Sequence, residues 1–439
     1  MNTLCITGGR VLRPDGRVER ADVVVDQDAG TIRAVGAPDE VADAVDAATE
    51  TLDAEESLVI PGLVNAHTHV AMTLLRGYAD DKPLDAWLRE DIWPVEAELT
   101  PDDIEAGAEL GVVEMIRSGT TAFADMYFAV DRVADVVDRA GLRARLGHGV
   151  VTVGKDADAA TADIEESLAV AVELDGAADG RIRTAFMPHS LTTVGEEFLR
   201  EGLDRAADAD VPVHLHANET VDEVEPIVEE RDQRPIEYAA GIGALGETSF
   251  FAHGVHVDDR EIDLLAESGT AVVHCPASNM KLASGIAPVQ RMRDAGVTVA
   301  LGTDGAASNN DLDLFDEMRD AAMVGKLAAE DASAVPAQTA VEMATAAGAD
   351  ALGLPGGRIA EGEAADLAVV DLDAPHLTPV HDPVSHLAYA AGGSDVRHTV
   401  CDGRVLMRDR NVLTLDPEAV RKRAVEAASD VVARAESGD

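Results

Sequence analysis

The sequence has few cysteines and no long apolar run. Its three cysteines, Cys5, Cys275 and Cys401, are far apart and form no CxxC pair, which excludes a disulfide framework and is typical of a reducing cytoplasm. No apolar run reaches the roughly 18 residues that a membrane span needs. The first residues lack the basic flank and apolar stretch of a signal peptide. We therefore expect a cytoplasmic protein that does not insert into membranes.

Positive charge is also scarce. Lys and Arg together number 35 against 83 Asp and Glu, so the formal net charge is −48. Such a surface repels nucleic acid and anionic membranes, and we expect neither as a partner. The acids are spread along the whole chain, which favours the solvated acidic shell of proteins from salt-loving organisms. An acidic surface for a basic partner is the alternative.

The middle of the chain has the pattern of an α/β barrel. The length of 439 residues predicts one large domain and a smaller one. Eight short apolar runs alternate with segments of helical period, which is typical of a TIM-type (β/α)8 barrel. The runs are Leu58–Val64, Thr121–Met126, Ala144–Val151, Ile182–Met187, Val211–Leu215, Ser249–Ala252, Thr270–Val273 and Val297–Leu301.

Both ends of the chain indicate short strands separated by Gly and Asp turns. We expect these strands to pair into a small β-sandwich that the barrel interrupts in sequence. The predicted domains are residues 1–57 and 361–415 for the two sandwich halves, 58–360 for the barrel and 416–439 for a C-terminal helix. The stretch Ala37–Glu56 is predicted to be a linker or surface loop.

Polar side chains recur directly after the predicted barrel strands, where TIM-barrel enzymes build their active sites. His67 and His69 follow the first run, and two residues apart on a strand end they point to the same side. His216 follows the fifth run and Asp304 the eighth. Three neutral imidazoles and a carboxylate can hold a divalent ion and leave room for a water. A water on such an ion ionises near neutral pH and becomes a nucleophile.

Other polar residues lie close to these predicted ligands. Glu219, three residues after His216, is placed to transfer protons, although a Glu near a helix start can also complement the helix dipole. We expect His253 to orient the water or accept its proton, with a core histidine as the alternative. His214 is either a second choice of ligand or, one layer deeper, a hydrogen-bonded core residue. His148 is a candidate for the pocket wall.

At this point the sequence resembles the amidohydrolase superfamily, and within it the methylthioadenosine/S-adenosylhomocysteine deaminases, a group that includes the 5′-deoxyadenosine deaminases. The resemblance runs over nearly the whole chain, and its longer motifs are far more specific than HxH alone. They are Pro61–His69, His69–Gly77, Trp87-Leu88, Pro94–Glu96, Asp125–Phe128, Pro188–Ser190, His216-x-x-Glu219, His253, Pro276–Leu282, Gly285–Met292 and Leu301–Asn310.

The resemblance implies a reaction and a set of roles. A metal-bound hydroxide would attack C6 of the adenine of a 5′-substituted adenosine, and ammonia would leave to give the inosine analogue. Glu96 would accept hydrogen bonds from the ribose hydroxyls, His189 would contact the nucleoside, and Glu219 would protonate the ring. His253 and Asp304 would activate and steer the water. The implied partners are the nucleoside and further copies of the chain in a homo-oligomer.

The metal is expected to be a single divalent ion, zinc in the first place, with iron and manganese as alternatives. Two-metal relatives carry a carboxylated Lys after the fourth strand. Here that position is occupied by Phe186–His189, which contains no Lys. The sequence therefore predicts one metal ion.

The sequence departs from the resembled family where the 5′-substituent would lie. Members that accept S-adenosylhomocysteine place Arg after the third strand, whereas His148 stands there and the following loop holds Lys155. A Lys offers a point charge instead of a bidentate fork. We therefore favour 5′-deoxyadenosine, methylthioadenosine or adenosine as substrates over S-adenosylhomocysteine.

Two other functions are weighed against this one. The metal set alone also fits a guanine, cytosine or triazine aminohydrolase. A catalytically inactive barrel would be expected to lack at least one of the predicted site residues, and none is missing.

Overall fold

A computed structural model describes residues 2–437, so Met1 and residues 438–439, at the ends of the predicted first and last domains, lie outside it. The strands are β1 (Thr3–Thr7), β2 (Arg10–Leu12), β3 (Val18–Arg20), β4 (Asp22–Asp26), β5 (Thr31–Gly36), β6 (Glu50–Asp53), β7 (Ser57–Pro61), β8 (Leu63–Thr68), β9 (Thr120–Tyr127), β10 (Arg143–Val150), β11 (Ile182–Thr184), β12 (Met187–Pro188), β13 (His214–Ala217), β14 (Phe250–His253), β15 (Ala271–His274), β16 (Val299–Leu301), β17 (Leu367–Asp371), β18 (Val396–Cys401), β19 (Arg404–Arg408) and β20 (Asn411–Val412).

The α-helices are α1 (Ala42–Asp46), α2 (Leu84–Trp87), α3 (Trp93–Glu96), α4 (Pro101–Arg117), α5 (Val130–Ala140), α6 (Ala157–Glu173), α7 (Glu196–Asp208), α8 (Val221–Arg231), α9 (Pro235–Gly241), α10 (Asp259–Ser268), α11 (Pro276–Lys281), α12 (Val289–Asp294), α13 (Leu314–Ala329), α14 (Ala337–Met343), α15 (Ala346–Leu352), α16 (Pro383–Tyr389) and α17 (Pro417–Ser437).

The barrel strands are parallel and follow chain order. One half is the sheet β8–β9–β10–β11, with β12 also on β10, and the other half is β13–β14–β15–β16. The halves join through a parallel bridge between Phe186 and Val213. On the other side, the Asn65 side chain bonds to the backbone N–H and hydroxyl of Thr303, at 2.9 and 2.8 Å. The predicted barrel class is confirmed.

The terminal strands form two sheets of their own. The smaller has the order β5–β4–β1–β6, and the larger β20–β19–β18–β17–β7–β2–β3. An apolar cluster packs between them, separate from the main cluster of the barrel. A buried ion pair joins this small domain to the barrel: Arg143 on β10 bonds at 2.7 Å to both Asp366 and Asp402.

The apolar run Leu58–Val64 serves both domains. Its first part is β7, which pairs antiparallel with β17, whereas β8 pairs with β9 in the barrel. The two strands separate at Gly62, where a Cβ atom would lie 2.1 Å from the Thr121 hydroxyl oxygen. Counting the whole run as a barrel strand was therefore wrong. The chain passes from sandwich to barrel where only glycine fits. The domain boundaries as a whole stay a prediction.

The stretch Ala37–Glu56 was also predicted wrongly. It contains the short helix α1 and the strand β6, which pairs in parallel with β1. Only Leu52 of β6 is buried, so its sequence lacks the alternating apolar pattern of a strand. Its place in the sheet comes from backbone pairing with β1 rather than from its own residues.

Helix boundaries follow capping residues that the sequence supplies. Helix α4 begins after Thr100, whose hydroxyl accepts from the Asp103 N–H while the Asp103 carboxylate accepts from the Thr100 N–H. Helix α10 begins with the same reciprocal pair between Asp258 and Glu261. Among residues 2–437, no helix is both long and apolar enough to cross a membrane.

Candidate active site

Four predicted ligands converge at the C-terminal end of the barrel. His67 ends β8 together with Thr68, and His69 follows directly. His216 lies on β13, and Asp304 follows β16. The Nε2 atoms of His67 and His69 lie 3.4 and 3.3 Å from Asp304 Oδ1. The Nε2 atoms of His69 and His216 are 3.3 Å apart. The order of the strands around the barrel thus brings together residues that are up to 237 positions apart in sequence.

Hydrogen bonds at the far side of each ring fix which nitrogen faces the centre. His69 Nδ1 donates to the carbonyl oxygen of Met126 at 2.7 Å, and His216 Nδ1 donates to that of His189 at 2.6 Å. His67 Nδ1 lies 2.8 Å from His214 Nε2. A carbonyl can only accept, so His69 and His216 carry a proton on Nδ1 and turn Nε2 inward.

This arrangement fits a metal ion. The Nε2 atoms of His69 and His216, 3.3 Å apart, repel each other through their lone pairs unless a proton or a metal ion lies between them. Ligands at about 2.0–2.1 Å around a tetrahedral zinc ion are about 3.3 Å apart, which matches the separations at His67, His69 and Asp304. The buried His67 Nε2 has no hydrogen-bond partner in the described part of the chain. The donor set of imidazole and carboxylate suits zinc, iron or manganese.

Five side chains compete for the four positions of such a site. His67, His216, His253 and Asp304 offer ligand atoms within 4.8 Å of one another. His69 stands outside that group, although its Nε2 is close to both His216 and Asp304. His253 Nε2 lies 3.6 Å from Glu219 Oε2, so the second nitrogen of this ring faces the neighbouring acid. This position favours His253 as a proton-handling group and His69 as the ligand.

The charges of the cluster follow from burial and from Asp304. Burial lowers the pKa of His67 to about 4 and brings that of His216 well below its ordinary value. Although burial opposes it, the hydrogen bond to Asp304 raises the pKa of His69 to about 9. Burial would raise the pKa of Asp304, but its close contacts with His67 and His69 hold it well below its usual range. Without a metal ion, the cluster therefore stabilises one positive charge, a second proton on His69 beside the Asp304 carboxylate, and a bound metal ion would replace that proton.

A short helix holds Asp304 and His253 in place. The hydroxyls of Ser278 and Ser308 donate to Asp304 Oδ2 at 2.7 and 2.8 Å, which leaves Oδ1 to face the histidines. The next residue of α11, Asn279, bonds to His253 Nδ1 through its Oδ1 at 2.9 Å. The sequence did not single out Ser278, Asn279 or Ser308 as site residues, although they lie in the motifs Pro276–Leu282 and Leu301–Asn310.

Glu219 lies at the edge of the cluster, in a loop that hydrogen bonds hold in place. Its backbone N–H donates to Glu223 Oε2 at 2.8 Å, and Asn218 before it adopts a positive φ of 54°. The Asn218 amide donates to Glu261 at 3.0 and 3.2 Å. Burial raises the pKa of the Glu219 carboxyl, which favours its protonated form and suits a proton donor.

The predicted substrate residues form a second group beside the metal cluster. Glu96 Oε1 accepts from the Tyr127 hydroxyl at 2.6 Å, which leaves its other oxygen available. His189 lies with its ring 4.5 Å from that of His216, and its Nδ1 is 3.0 Å from the Thr193 hydroxyl. Burial lowers the pKa of His189 to about 3, so the ring is neutral.

His148 lies further out and is tied to acids. Its Nε2 is 3.0 Å from Asp163 Oδ1, and its Nδ1 is 3.6 Å from Glu166. Lys155 bonds to the other oxygen of Asp163 at 2.8 Å. The ring of Phe128 lies 6.0 Å from that of His148 and 5.0 Å from that of Tyr127. The structure therefore places His148 in a separate group with Asp163 and Glu166 rather than in the metal cluster.

The chain matches the model of the amidohydrolase family over residues 58–406. It is 70% identical over 435 residues to a 5-methylthioadenosine/S-adenosylhomocysteine deaminase of Haloarcula marismortui, covering 99% of this chain and 100% of that protein. It is 45% identical over 433 residues to a 5′-deoxyadenosine deaminase of Methanothermobacter thermautotrophicus, with 98% and 99% covered.

Among solved structures, an adenosine deaminase from Xanthomonas campestris with bound zinc superposes with a TM-score of 0.91. That protein is 38% identical, and the match covers 98% of both chains. A guanine deaminase of E. coli superposes with a TM-score of 0.82 over 93% of this chain and 100% of the other, and its 20% identity indicates a shared fold alone.

Proposed function

We propose, from the premise that this chain belongs to the amidohydrolase family, that it removes the 6-amino group of a 5′-substituted adenosine by hydrolysis. Its kinship with deaminases over nearly its full length makes it a hydrolytic deaminase that releases ammonia. The observation that carries the proposal is the inward convergence of three imidazoles and Asp304 beside Glu219. The match to the family model and the similarity to the deaminases confirm the predicted family resemblance.

His67, His69, His216 and Asp304 would hold the metal ion. A divalent ion in this position supplies Lewis-acid activation of a water molecule at neutral pH. Zinc is the first choice because a 38% identical neighbour has bound zinc, and iron or manganese suits the same donors. Asp304 offers only Oδ1 to that site, because the hydroxyls of Ser278 and Ser308 occupy its Oδ2.

Glu219 and His253 would move the protons of the reaction. Glu219 donates a proton to the ring nitrogen beside the reacting carbon, which makes that carbon more electrophilic. His253 directs Nε2 towards the same space because Asn279 occupies its Nδ1. Water would then attack the carbon, and His253 would accept one of its protons. That proton would pass to the amino group, which would leave as ammonia as the C–N bond breaks. The remaining hydroxyl would lose its proton to Glu219 and become the carbonyl of the product.

Glu96 and His189 would orient the nucleoside. The free oxygen of Glu96 can accept from the ribose hydroxyls, and Tyr127 holds the carboxylate in position. Burial raises the pKa of Glu96 and so favours its protonated form, whereas hydrogen bonds donated by the substrate would favour the ionised form. His189, neutral and next to His216, would contact the base or the sugar.

The 5′-substituent would extend towards His148. Both cationic candidates of this region, His148 and Lys155, already bond to Asp163, and a paired Lys attracts an amino-acid carboxylate weakly. This favours 5′-deoxyadenosine, methylthioadenosine and adenosine over S-adenosylhomocysteine. The 70% identical relative carries both methylthioadenosine and S-adenosylhomocysteine in its name, so the ranking of substrates is the point to measure.

A substrate panel tests the proposal. The purified chain, loaded with zinc, is incubated with the three favoured nucleosides, S-adenosylhomocysteine, guanine and cytosine, at high and low salt. We expect the adenosines to lose absorbance as they are deaminated, and a chelator to abolish this loss. The highest kcat/KM is expected for substrates with uncharged 5′-groups. Activity on guanine or cytosine alone would favour the other aminohydrolases. A clear preference for S-adenosylhomocysteine would overturn the role given to Lys155 and Asp163.

Four further expectations belong to this proposal. The substrate is a small molecule, and the acidic chain has no nucleic-acid or membrane partner. We also propose a homo-oligomer in the cytoplasm, for which the size of the purified chain in solution and its location in cells are the tests.

A further inference from the structure

We infer that His214 is a positioning residue for the metal site: it holds His67 in the tautomer that can bind a metal. This inference rests on the proposed metal site. His214 begins β13 and lies two residues before His216, on the same side of the strand but one layer deeper in the barrel. Its side chain is fully buried, and its ring stacks on that of Phe250 at 4.2 Å.

The two hydrogen bonds of His214 determine which of its nitrogens donates and which accepts. Its Nδ1 lies 2.7 Å from the carbonyl oxygen of Phe250, which can only accept, so the proton sits on Nδ1. A neutral imidazole has one proton, and in His214 the Phe250 carbonyl takes it, so Nε2 is an acceptor. That Nε2 lies 2.8 Å from His67 Nδ1, which must therefore be the donor.

The consequence reaches the metal side of His67. With its proton on Nδ1, a neutral His67 has a lone pair on Nε2, the atom that faces Asp304 Oδ1 at 3.4 Å. His69 and His216 achieve the same through backbone carbonyls, which no substitution removes. His67 depends instead on a side chain. Metal-ligating histidines generally donate their second N–H, and loss of the acceptor weakens metal binding.

Removal of the acceptor would leave His67 two unfavourable states. Either its Nδ1–H stays buried without a partner, or the proton moves to Nε2 and occupies the lone pair that the metal needs. Packing alone would not have this effect, because a Phe ring at position 214 can preserve the stacking on Phe250. Substitution can therefore separate the effect of the hydrogen-bond acceptor from the effect of ring packing.

Metal affinity of the full chain measures this role directly. Parent, His214→Phe, His214→Gln and the exposed control His381→Phe are stripped of metal and titrated with Zn2+ in competition with a chelator. The Co2+ absorption spectrum reports the coordination geometry. We expect His214→Phe to bind about 10–100-fold more weakly, and His381→Phe to match the parent. In His214→Gln, the amide oxygen replaces the acceptor, and most of the affinity should return.

Circular dichroism of the metal-free proteins shows whether each variant folds, and His214→Leu replaces His214→Phe if the latter does not. A folded variant without the acceptor that binds Zn2+ as tightly as the parent would overturn the role of His214 alone. A parent that binds neither Zn2+ nor Co2+ would overturn the metal site together with it.

Discussion

Glu219 illustrates how one residue combines a prediction from sequence with an environment that only the structure gives. Its carboxylate lies 3.6 Å from His253, and its backbone N–H is held by Glu223. Glu223 is itself unusual, because burial raises its pKa to about 8. The Glu223 carboxyl is thus neutral at pH 7 and does not repel the carboxyl of Glu219, whose backbone it holds.

Substitution of Glu219 by Gln keeps the size of the side chain and removes the transferable proton. We expect kcat to fall by about 100-fold or more, the range typical of a positioned acid or base, while the metal content stays that of the parent. The absorbance assay and metal analysis of the same sample measure both quantities. Glu225→Gln, the same change at an exposed position of α8, is the control. A Glu219→Gln protein that loses its metal would contradict the assigned role.

At the scale of elements, helix α11 forms hydrogen bonds to two of the proposed site residues. Its consecutive residues Ser278 and Asn279 bond to Asp304 and His253. Behind it, the buried Glu317 of α13 accepts from the Ala277 N–H at 3.3 Å and from the Asn309 amide at 2.6 Å. Glu317 thus ties the start of α11 to the loop that carries Asp304, and the two groups keep a common geometry.

Loss of one bond from α11 should affect turnover more than stability. In Asn279→Ala, His253 loses the partner of its Nδ1, so its ring and its tautomer are no longer fixed. We expect kcat to fall by about 10-fold or more with KM little changed. Steady-state kinetics with a thermal unfolding curve measure this. Asn411→Ala removes an exposed amide far from the site and should leave both values as they are. Parental kcat in Asn279→Ala would show that α11 does not position His253.

The elements also show what sequence alone could predict. The residues His67, His216 and Asp304 were predictable, because parallel barrel strands must end on one face and these residues follow the strands. The acceptors for His69 and His216 are backbone carbonyls and carry no sequence signal. The border at Gly62 was not predictable from apolar content, since β7 and β8 are equally buried on either side of it.

At the scale of the whole molecule, the net charge of −48 opposes the folded state. Folding brings the acids closer together, and their repulsion acts over about 10 Å at 0.1 M salt but about 3 Å at 1 M. Many acids are exposed and only some pair with Arg, as in the contacts of Arg132 and Arg139 with acids of α4. Screening should therefore stabilise the protein.

We accordingly expect the unfolding temperature to rise from 0.1 M to 2 M KCl by on the order of 5 °C or more, which corresponds to a few kcal/mol for a chain of this size. Circular dichroism at constant pH measures it. Sucrose also stabilises folded proteins, by exclusion from their surface, but it does not screen charge. At concentrations that stabilise an ordinary protein equally, KCl should therefore exceed sucrose here. Equal effects of the two would show that the acids are a solvated shell with little influence on stability, and no effect of KCl would contradict the screening argument itself.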